Sequence, residues 1–356
     1  MPKLPCLGER DAGTERCDEM SPSALTITMV SLAVSALLTS MAVTVLIRRL
    51  ALRRNMLDLP GCRRSHASPT PRGGGVGVLA GALLPLLAAY WLLDLRDYLL
   101  LAYVLGTALV AVVGWRDDVR DVAPSYRLLV HGIAAALFVA VLYQADGHAA
   151  SPLHVFMSWF AIVSLINIWN FMDGINGIAG SQAMLIALAL AVLVGGGIWM
   201  YAAALLALAC LGFLPFNLPK AWVFLGDVGS GAIGFMVAAL LVQSVALNAL
   251  AWPMVLVLIS AFFVDSALTL GKRIVQGKAW WRAHREHTYQ WLVRAGYAHW
   301  QVTLGYFVWS TLAVALVLEL PYGDNVLPAT LWLLATTLAW FWLRVHARRK
   351  VQRKLR

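Results

Sequence analysis

The chain has 356 residues, 60% hydrophobic and 13% charged, with a mean hydropathy of +0.73 and a formal net charge of +10. An ordinary soluble domain is already saturated when about half its residues are apolar, so a soluble organisation is excluded. The basic excess lies in short loops beside apolar runs, which argues for a topological and lipid-facing role and against nucleic acid as a partner.

In chain order, residues 1–21 are polar and acidic-leaning, without a basic stretch leading into a cleavage site. They are expected to form an extracytoplasmic tail ahead of an uncleaved first span. Cys6 and Cys17 lie in this tail, where an oxidising compartment would let them pair. With Cys62 and Cys210 they form no metal pattern. A bilayer core about 30 Å thick needs about 20 apolar residues per helix. Such runs follow at 23–47, 75–93, 98–114, 128–145, 153–170, 178–194, 198–216, 229–245, 251–270, 301–320 and 327–345. They predict an all-α integral membrane protein of about eleven transmembrane helices. One polytopic domain spans residues 22–345, and a basic tail follows at 346–356. Neither period-two alternation nor a tandem repeat is present, which removes barrels and solenoids.

With the N-terminus outside, segments 48–74, 115–127, 217–227, 271–300 and 344–356 become cytoplasmic. They hold 24 of the 28 Lys and Arg residues, a strong positive-inside signal that also puts the C-terminus in the cytoplasm. Seven acidic residues fall at cytoplasmic span ends or loops: Asp58, Asp117, Asp118, Asp121, Asp173, Asp227 and Glu286. A lone carboxylate there is solvated by headgroup water; one grouped with Asn, Gly and basic neighbours is a functional candidate.

Five groups stand out. The first, Arg63 to Gly75, is basic and Gly-rich and suits a phosphate or the lipid headgroup surface. In the second, Asp117 and Asp118 are adjacent, with Asp121, Ser125 and Arg127 following. Two neighbouring carboxylates suit a metal ion or general-base work, or else form a polar helix end neutralised by Arg116 and Arg120. The third brings Asn170, Asp173 and Asn176 into a Gly-bearing break, as a polar cavity at membrane depth requires. Asn both donates and accepts, as recognition of a base edge or an amide demands. The fourth pairs Asn217 with Gly226-Asp227-Val228-Gly229-Ser230 at the start of a span. That sequence attracts phosphate and can hold a divalent cation, or serves as a cap with small packing residues. The fifth runs from Trp280 to Gln290, where His284, Arg285 and His287 fit an anion-binding loop better than a zinc site.

Taken together and in this order, Pro69-Thr70-Pro71-Arg72-Gly73-Gly74-Gly75, Asp117-Asp118 with Asp121, Asn170 to Gly177, Pro215-Phe216-Asn217, Gly226 to Ser230 and His284 to His287 resemble the polyprenyl-phosphate N-acetylhexosamine-1-phosphate transferases. The family includes initiators of O-antigen and teichoic acid synthesis and the phospho-MurNAc-pentapeptide transferase. The resemblance implies a magnesium-dependent enzyme, with manganese as an alternative ion. It would move a sugar-1-phosphate from a UDP-N-acetylhexosamine to undecaprenyl phosphate in the bacterial inner membrane, releasing UMP. It further implies that Asn170 and Asp227 hold the metal and that Asp117 and Asp118 orient or deprotonate the lipid phosphate. Arg72, Arg127, Asp173, Asn176, Asn217, His284, Arg285 and His287 would bind substrate. Asn176, with Asp173 nearby, would face uridine, and the histidine loop the sugar phosphate. Asp121 in place of a Lys, and the His-Arg-Glu-His loop, favour an O-antigen-type initiator over the pentapeptide enzyme. Membrane lipids are expected neighbours, and a homodimer is compatible with this reading. The competing class is a polytopic transporter or flippase, whose signature is charge near the midplane and broken helices in paired halves. Asp265 is the only deep acidic candidate, and no repeated half is present.

Overall fold

The computed structural model describes residues 22–58, 69–93, 97–145, 151–278, 284–320, 323 and 325–355. The tail with Cys6 and Cys17, Cys62, residues 63–68 of the first basic group and Trp280 to Ala283 lie outside these residues. Among the described residues there are thirteen helices: α1 Pro22–Arg53, α2 Gly75–Leu92, α3 Tyr98–Val119, α4 Pro124–Ala145, α5 Pro152–Met172, α6 Ile178–Val194, α7 Gly197–Asn217, α8 Gly226–Ala246, α9 Trp252–Leu258, α10 Ser260–Val275, α11 Thr288–Arg294, α12 His299–Glu319 and α13 Val326–Leu355. A two-residue antiparallel pair, β1 Leu57–Asp58 and β2 Thr70–Pro71, matches Leu57 with Pro71 and Asp58 with Thr70.

Local chemistry sets these boundaries. Asp97 caps α3, its Oδ1 accepting the Leu99 N–H at 2.8 Å and the Leu100 N–H at 3.3 Å. Ser151 caps α5 in the same way, with Pro152 in the first turn, where its missing N–H costs nothing. Pro124 likewise opens α4.

All eleven expected runs recur as helix. Among the described residues nine are long and apolar enough to cross a membrane, and α6 is a shorter apolar helix of 17 residues. The run 251–270 differs from expectation, because it forms two helices that meet at Ile259 and are bent by 86°. The second of the two carries a polar face. Asp265, Thr269 and Arg273 recur every four residues, which puts them on one face of α10, and that face is buried against protein. Two other boundaries matter for the site. Helix α3 continues to Val119 and α8 begins at Gly226, so the acidic residues sit in terminal helical turns rather than loops.

Helix α8 is the axis of the molecule. Every residue from Val228 to Ser244 is buried, beneath α2, α3, α5, α6 and α7. Tyr103, Phe138 and Trp199 pack edge-on or tilted around Phe235 and one another in this centre. Cys210 is free and buried. The outer helices turn Leu, Val and Trp side chains outward, among them Val30, Leu38, Leu331, Leu338 and Trp342, as a lipid-facing surface does.

Candidate active site

The site forms where the last turn of α3 meets the first turn of α8. Gly114 lets them touch, since a Cβ there would lie 2.4 Å from the Asp227 carbonyl oxygen. Asp118, whose side chain is only 1% exposed, then reaches across the junction. Its Oδ1 accepts the Asp227 N–H and its Oδ2 the Val228 N–H, each at 3.0 Å. Gly226 precedes them at φ +77, where a side chain would also collide with the Asp118 carboxylate. Asp118 thus caps α8 from another helix, satisfying two of the N–H groups that a helix start leaves open.

The neighbouring Asp117 is arranged differently. Its Oδ1 accepts the Val122 N–H at 2.7 Å, and its Oδ2 receives a hydrogen bond from Arg127 in α4. The same Arg127 nitrogen lies 3.4 Å from Asp227 Oδ2. On the other side, Asn170 at the end of α5 donates to Asp227 Oδ1 at 2.9 Å and to Ser230 Oγ at 3.0 Å. Two carboxylates and a carboxamide from three helices therefore converge around one guanidinium. Among the described residues no three His, Cys, Asp or Glu side chains form a metal-ligating group. Magnesium needs only one or two carboxylates, completing its shell with water and substrate phosphate. This all-oxygen set fits such an ion, with Asp227 and, after a flip of its amide, Asn170 as the residues that would hold it.

Other expected residues surround this centre. Arg72 pairs with Asp58 at 2.7 Å and approaches Asp118 to 4.0 Å. Its loop is laid along the α8 approach by Phe224 N–H to the Pro71 carbonyl, 2.8 Å, and Gly74 N–H to the Phe224 carbonyl, 2.9 Å. Asn217 is buried with both ends of its amide engaged. Its Oδ1 accepts the Gly177 N–H at 2.5 Å, and its Nδ2 donates to the Val223 carbonyl at 2.8 Å. It ties the Asn176-Gly177 turn to the loop before α8. Asn176 is half-buried and donates from Nδ2 to the Pro219 carbonyl at 3.1 Å. Half-buried Asp173 follows α5, where burial first and the charge of Asp118 second push its carboxyl up to about 7.

The histidine loop joins through Tyr289, whose hydroxyl donates to the Phe171 carbonyl at 3.0 Å. The His287 ring stacks between His284, at 5.0 Å, and Tyr289, at 5.9 Å between centroids. Burial lowers both imidazoles, His284 to about 4, with nearby positive charge adding to the effect. Both are neutral at pH 7, so the positive charge of this corner comes from Arg and Lys. Glu286 is held below its usual range, against partial burial, by Lys278 and Arg273. It pairs with Arg273 at 2.5 Å and Lys278 at 3.2 Å.

All five sequence groups thus meet at one end of the bundle. Arg72, Asp117, Asp118, Arg127, Asn170 and Asp227 form one connected network. Asp173, Asn176 and Asn217 border it, and His284 and His287 attach through Tyr289. Arg285, half-buried, lies in the same loop, and Asp121 is exposed. Ser230, as the partner of Asn170, and Tyr289, as the link between loops, emerge only from the structure. The acid inside a span that would mark a transporter, Asp265, is enclosed by protein donors instead.

The family model described as glycosyl transferase family 4 matches residues 100–245, which contain Asp117, Asp118, Asn170 and Asp227. The chain is 28% identical over 303 residues to the decaprenyl-phosphate N-acetylglucosaminephosphotransferase of Mycolicibacterium smegmatis, covering 74% of this chain and 75% of that one. It is 26% identical over 284 residues to the probable undecaprenyl-phosphate N-acetylglucosaminyl 1-phosphate transferase of Bacillus subtilis, covering 74% and 77%. Over 315 residues it is 26% identical to the undecaprenyl-phosphate alpha-N-acetylglucosaminyl 1-phosphate transferase of Salmonella typhi, covering 82% of each. The acidic junction that binds α3 to α8 lies inside the matched segment, and the relatives that the chain is similar to are polyprenyl-phosphate N-acetylglucosamine-1-phosphate transferases, the family that its motifs resemble.

Proposed function

We propose that the protein transfers an N-acetylhexosamine-1-phosphate from a UDP-sugar to undecaprenyl phosphate and releases UMP, starting a lipid-linked O-antigen or another cell-envelope glycan. The observation that carries this reading is the Asp117–Arg127–Asp227–Asn170 network at one end of a bundle of apolar helices. An oxygen-rich acidic centre opposite basic loops suits a pyrophosphate and its counter-ion, and the membrane supplies a lipid acceptor.

In this reaction a phosphate oxygen of the lipid attacks the β-phosphorus of the donor. A new P–O–P linkage forms, the bond to the α-phosphate oxygen breaks, and UMP leaves with its electron pair. Asp117 is the group assigned to the acceptor phosphate, because its contact to Arg127 is a side-chain pair that an anionic substrate can exchange. Asp118 is assigned a holding role, since both its oxygens are occupied by backbone N–H groups of α8. Asp227 and Asn170 would hold magnesium or manganese, which supplies charge neutralisation at the pyrophosphate. Arg72 and Arg127 offer planar donors to phosphate. Asn176 and Asp173 are assigned to the uridine, and the loop of His284, Arg285 and His287 to the sugar phosphate, its neutral imidazoles acting as hydrogen-bond partners. The positive-inside charge pattern supports a cytoplasmic site in the inner membrane, where UDP-sugars are made available.

The test is to offer the purified protein a panel of UDP-N-acetyl sugars with undecaprenyl phosphate. The expected result is one lipid-linked sugar-pyrophosphate product with equimolar UMP. UDP instead of UMP as the leaving product would overturn the phosphotransfer assignment.

A further inference from the structure

Asp265 is a buried acid that none of the roles above uses. It is 1% exposed in α10, where an isolated carboxylate would be strongly disfavoured. Its oxygens are surrounded by donors from three other segments. The Thr288 N–H lies 2.8 Å from Oδ1 and 3.0 Å from Oδ2. Trp340 Nε1 of α13 donates to Oδ1 at 2.9 Å, and the Tyr306 hydroxyl of α12 to Oδ2 at 2.8 Å. Thr269, one turn along α10, donates to Oδ1 at 3.3 Å. Thr269 in turn accepts from Arg344 at 3.0 Å, and that guanidinium, 4% exposed, lies over the Trp340 ring at 4.8 Å. The carboxylate is thereby saturated with donors, and a cation stands one hydroxyl away.

Position decides what this hub is for. Thr288 immediately follows His287, whose Nδ1 is 4.0 Å from Asp265 Oδ1, and precedes Tyr289, the residue that ties the loop to the end of α5. We infer that Asp265 is the positioning residue of the histidine loop: by gripping the Thr288 backbone it sets His287, and with it His284, at the sugar-phosphate end of the site. The kinetic part of this inference rests on the proposed function; the placement of His287 does not.

The experiment uses full-length protein in detergent. It combines diethyl pyrocarbonate labelling of histidines, read by mass spectrometry, with steady-state kinetics for UDP-N-acetylglucosamine. His287 is 4% exposed and His284 is more open, so in the wild type His284 should label and His287 should be protected. Both imidazoles are neutral at pH 7, so labelling reports access rather than protonation. In Asp265→Asn, His287 should label about ten-fold faster, and KM for the UDP-sugar should rise about ten-fold with a smaller change in kcat. Tyr306→Phe removes one donor and keeps the ring, Trp340→Phe removes one donor with part of the ring volume, and both should give intermediate values. They carry the test if Asp265→Asn does not fold. His287 remaining protected in a folded Asp265→Asn, or in both milder variants, would overturn the inference. Unmasking of His287 with wild-type kinetics would uphold the positioning role and instead remove the histidine loop from the donor site.

Discussion

Asp118 and Asp227, 109 positions apart in sequence, are joined through backbone rather than side chain: the Asp118 carboxylate accepts the Asp227 N–H at 3.0 Å. The acid in α3 thereby fixes where the acid in α8 projects. Asp117, next in sequence to Asp118, is free of this duty and faces Asp227 side chain to side chain, with Arg127 reaching both.

This difference separates the two adjacent acids by experiment. Asp118→Ala leaves two N–H groups at the α8 start without partners, and should cost about 1–2 kcal/mol of stability, seen as a lower Tm, together with turnover. Asp117→Asn should lose turnover with little change in Tm. Thermal unfolding of both variants in one detergent, beside a lipid-product assay, checks the contrast. Equal Tm losses would remove the distinction.

Asp227→Asn removes a charge assigned to the metal and should cost at least about 2.7 kcal/mol of barrier, roughly a hundred-fold in rate. Chelation should stop wild-type turnover, and added magnesium should restore it. Full activity in excess EDTA would defeat the metal assignment.

The donor and acceptor sides should respond differently to substitution. Asn176→Ala removes hydrogen bonds made before and during reaction alike, so it should raise KM for the UDP-sugar while sparing kcat. Asp117→Asn should leave UDP-sugar affinity, measured by titration calorimetry without lipid, within a few-fold of wild type while turnover falls. The reverse pattern would exchange the two sides of the site.

Asp173 predicts a pH effect of defined sign. Its folded-state carboxyl is raised to about 7 from the ordinary Asp value of about 4 by burial and by Asp118, so the folded state binds more protons than the unfolded state between these values. Stability from this group is therefore present below about pH 4 and lost as pH rises toward about 7. Asp173→Asn stays neutral throughout. Its Tm relative to wild type should rise across this window and level off above about pH 7, as differential scanning fluorimetry on both proteins would read. A constant difference would contradict the shift.

Topology can be read with reporters. A fusion after Arg356 should report the cytoplasm, and an insertion at Gly323, between α12 and α13, the periplasm. The same side for both would require a different number of crossings.

Membrane character, the position of every apolar run and the order of the polar motifs were determined by the sequence alone. The physical reason is that these are local properties: a hydrocarbon core demands about 20 apolar residues whatever they later touch. Turn chemistry at Asp97, Ser151 and Gly226 is local in the same sense. The polar face of α10 is half legible, since the four-residue spacing of Asp265, Thr269 and Arg273 encodes it while the partner that buries it lies elsewhere; the 86° bend at Ile259 is not legible. What each acid touches was decided only by the tertiary structure. Asp117 and Asp118 are chemically identical neighbours, yet about 100° of helical rotation between adjacent residues points one at α4 and the other at the backbone of α8. Asn217 stands in its motif as a binding residue, and that it also tethers the Asn176-Gly177 turn is visible only in the fold, because the Gly177 N–H arrives from 40 positions away. Asp265 resembles a transport acid in sequence. It is instead a clamp on the histidine loop, because Thr288, Tyr306 and Trp340 are brought to it by three segments whose meeting no local pattern records.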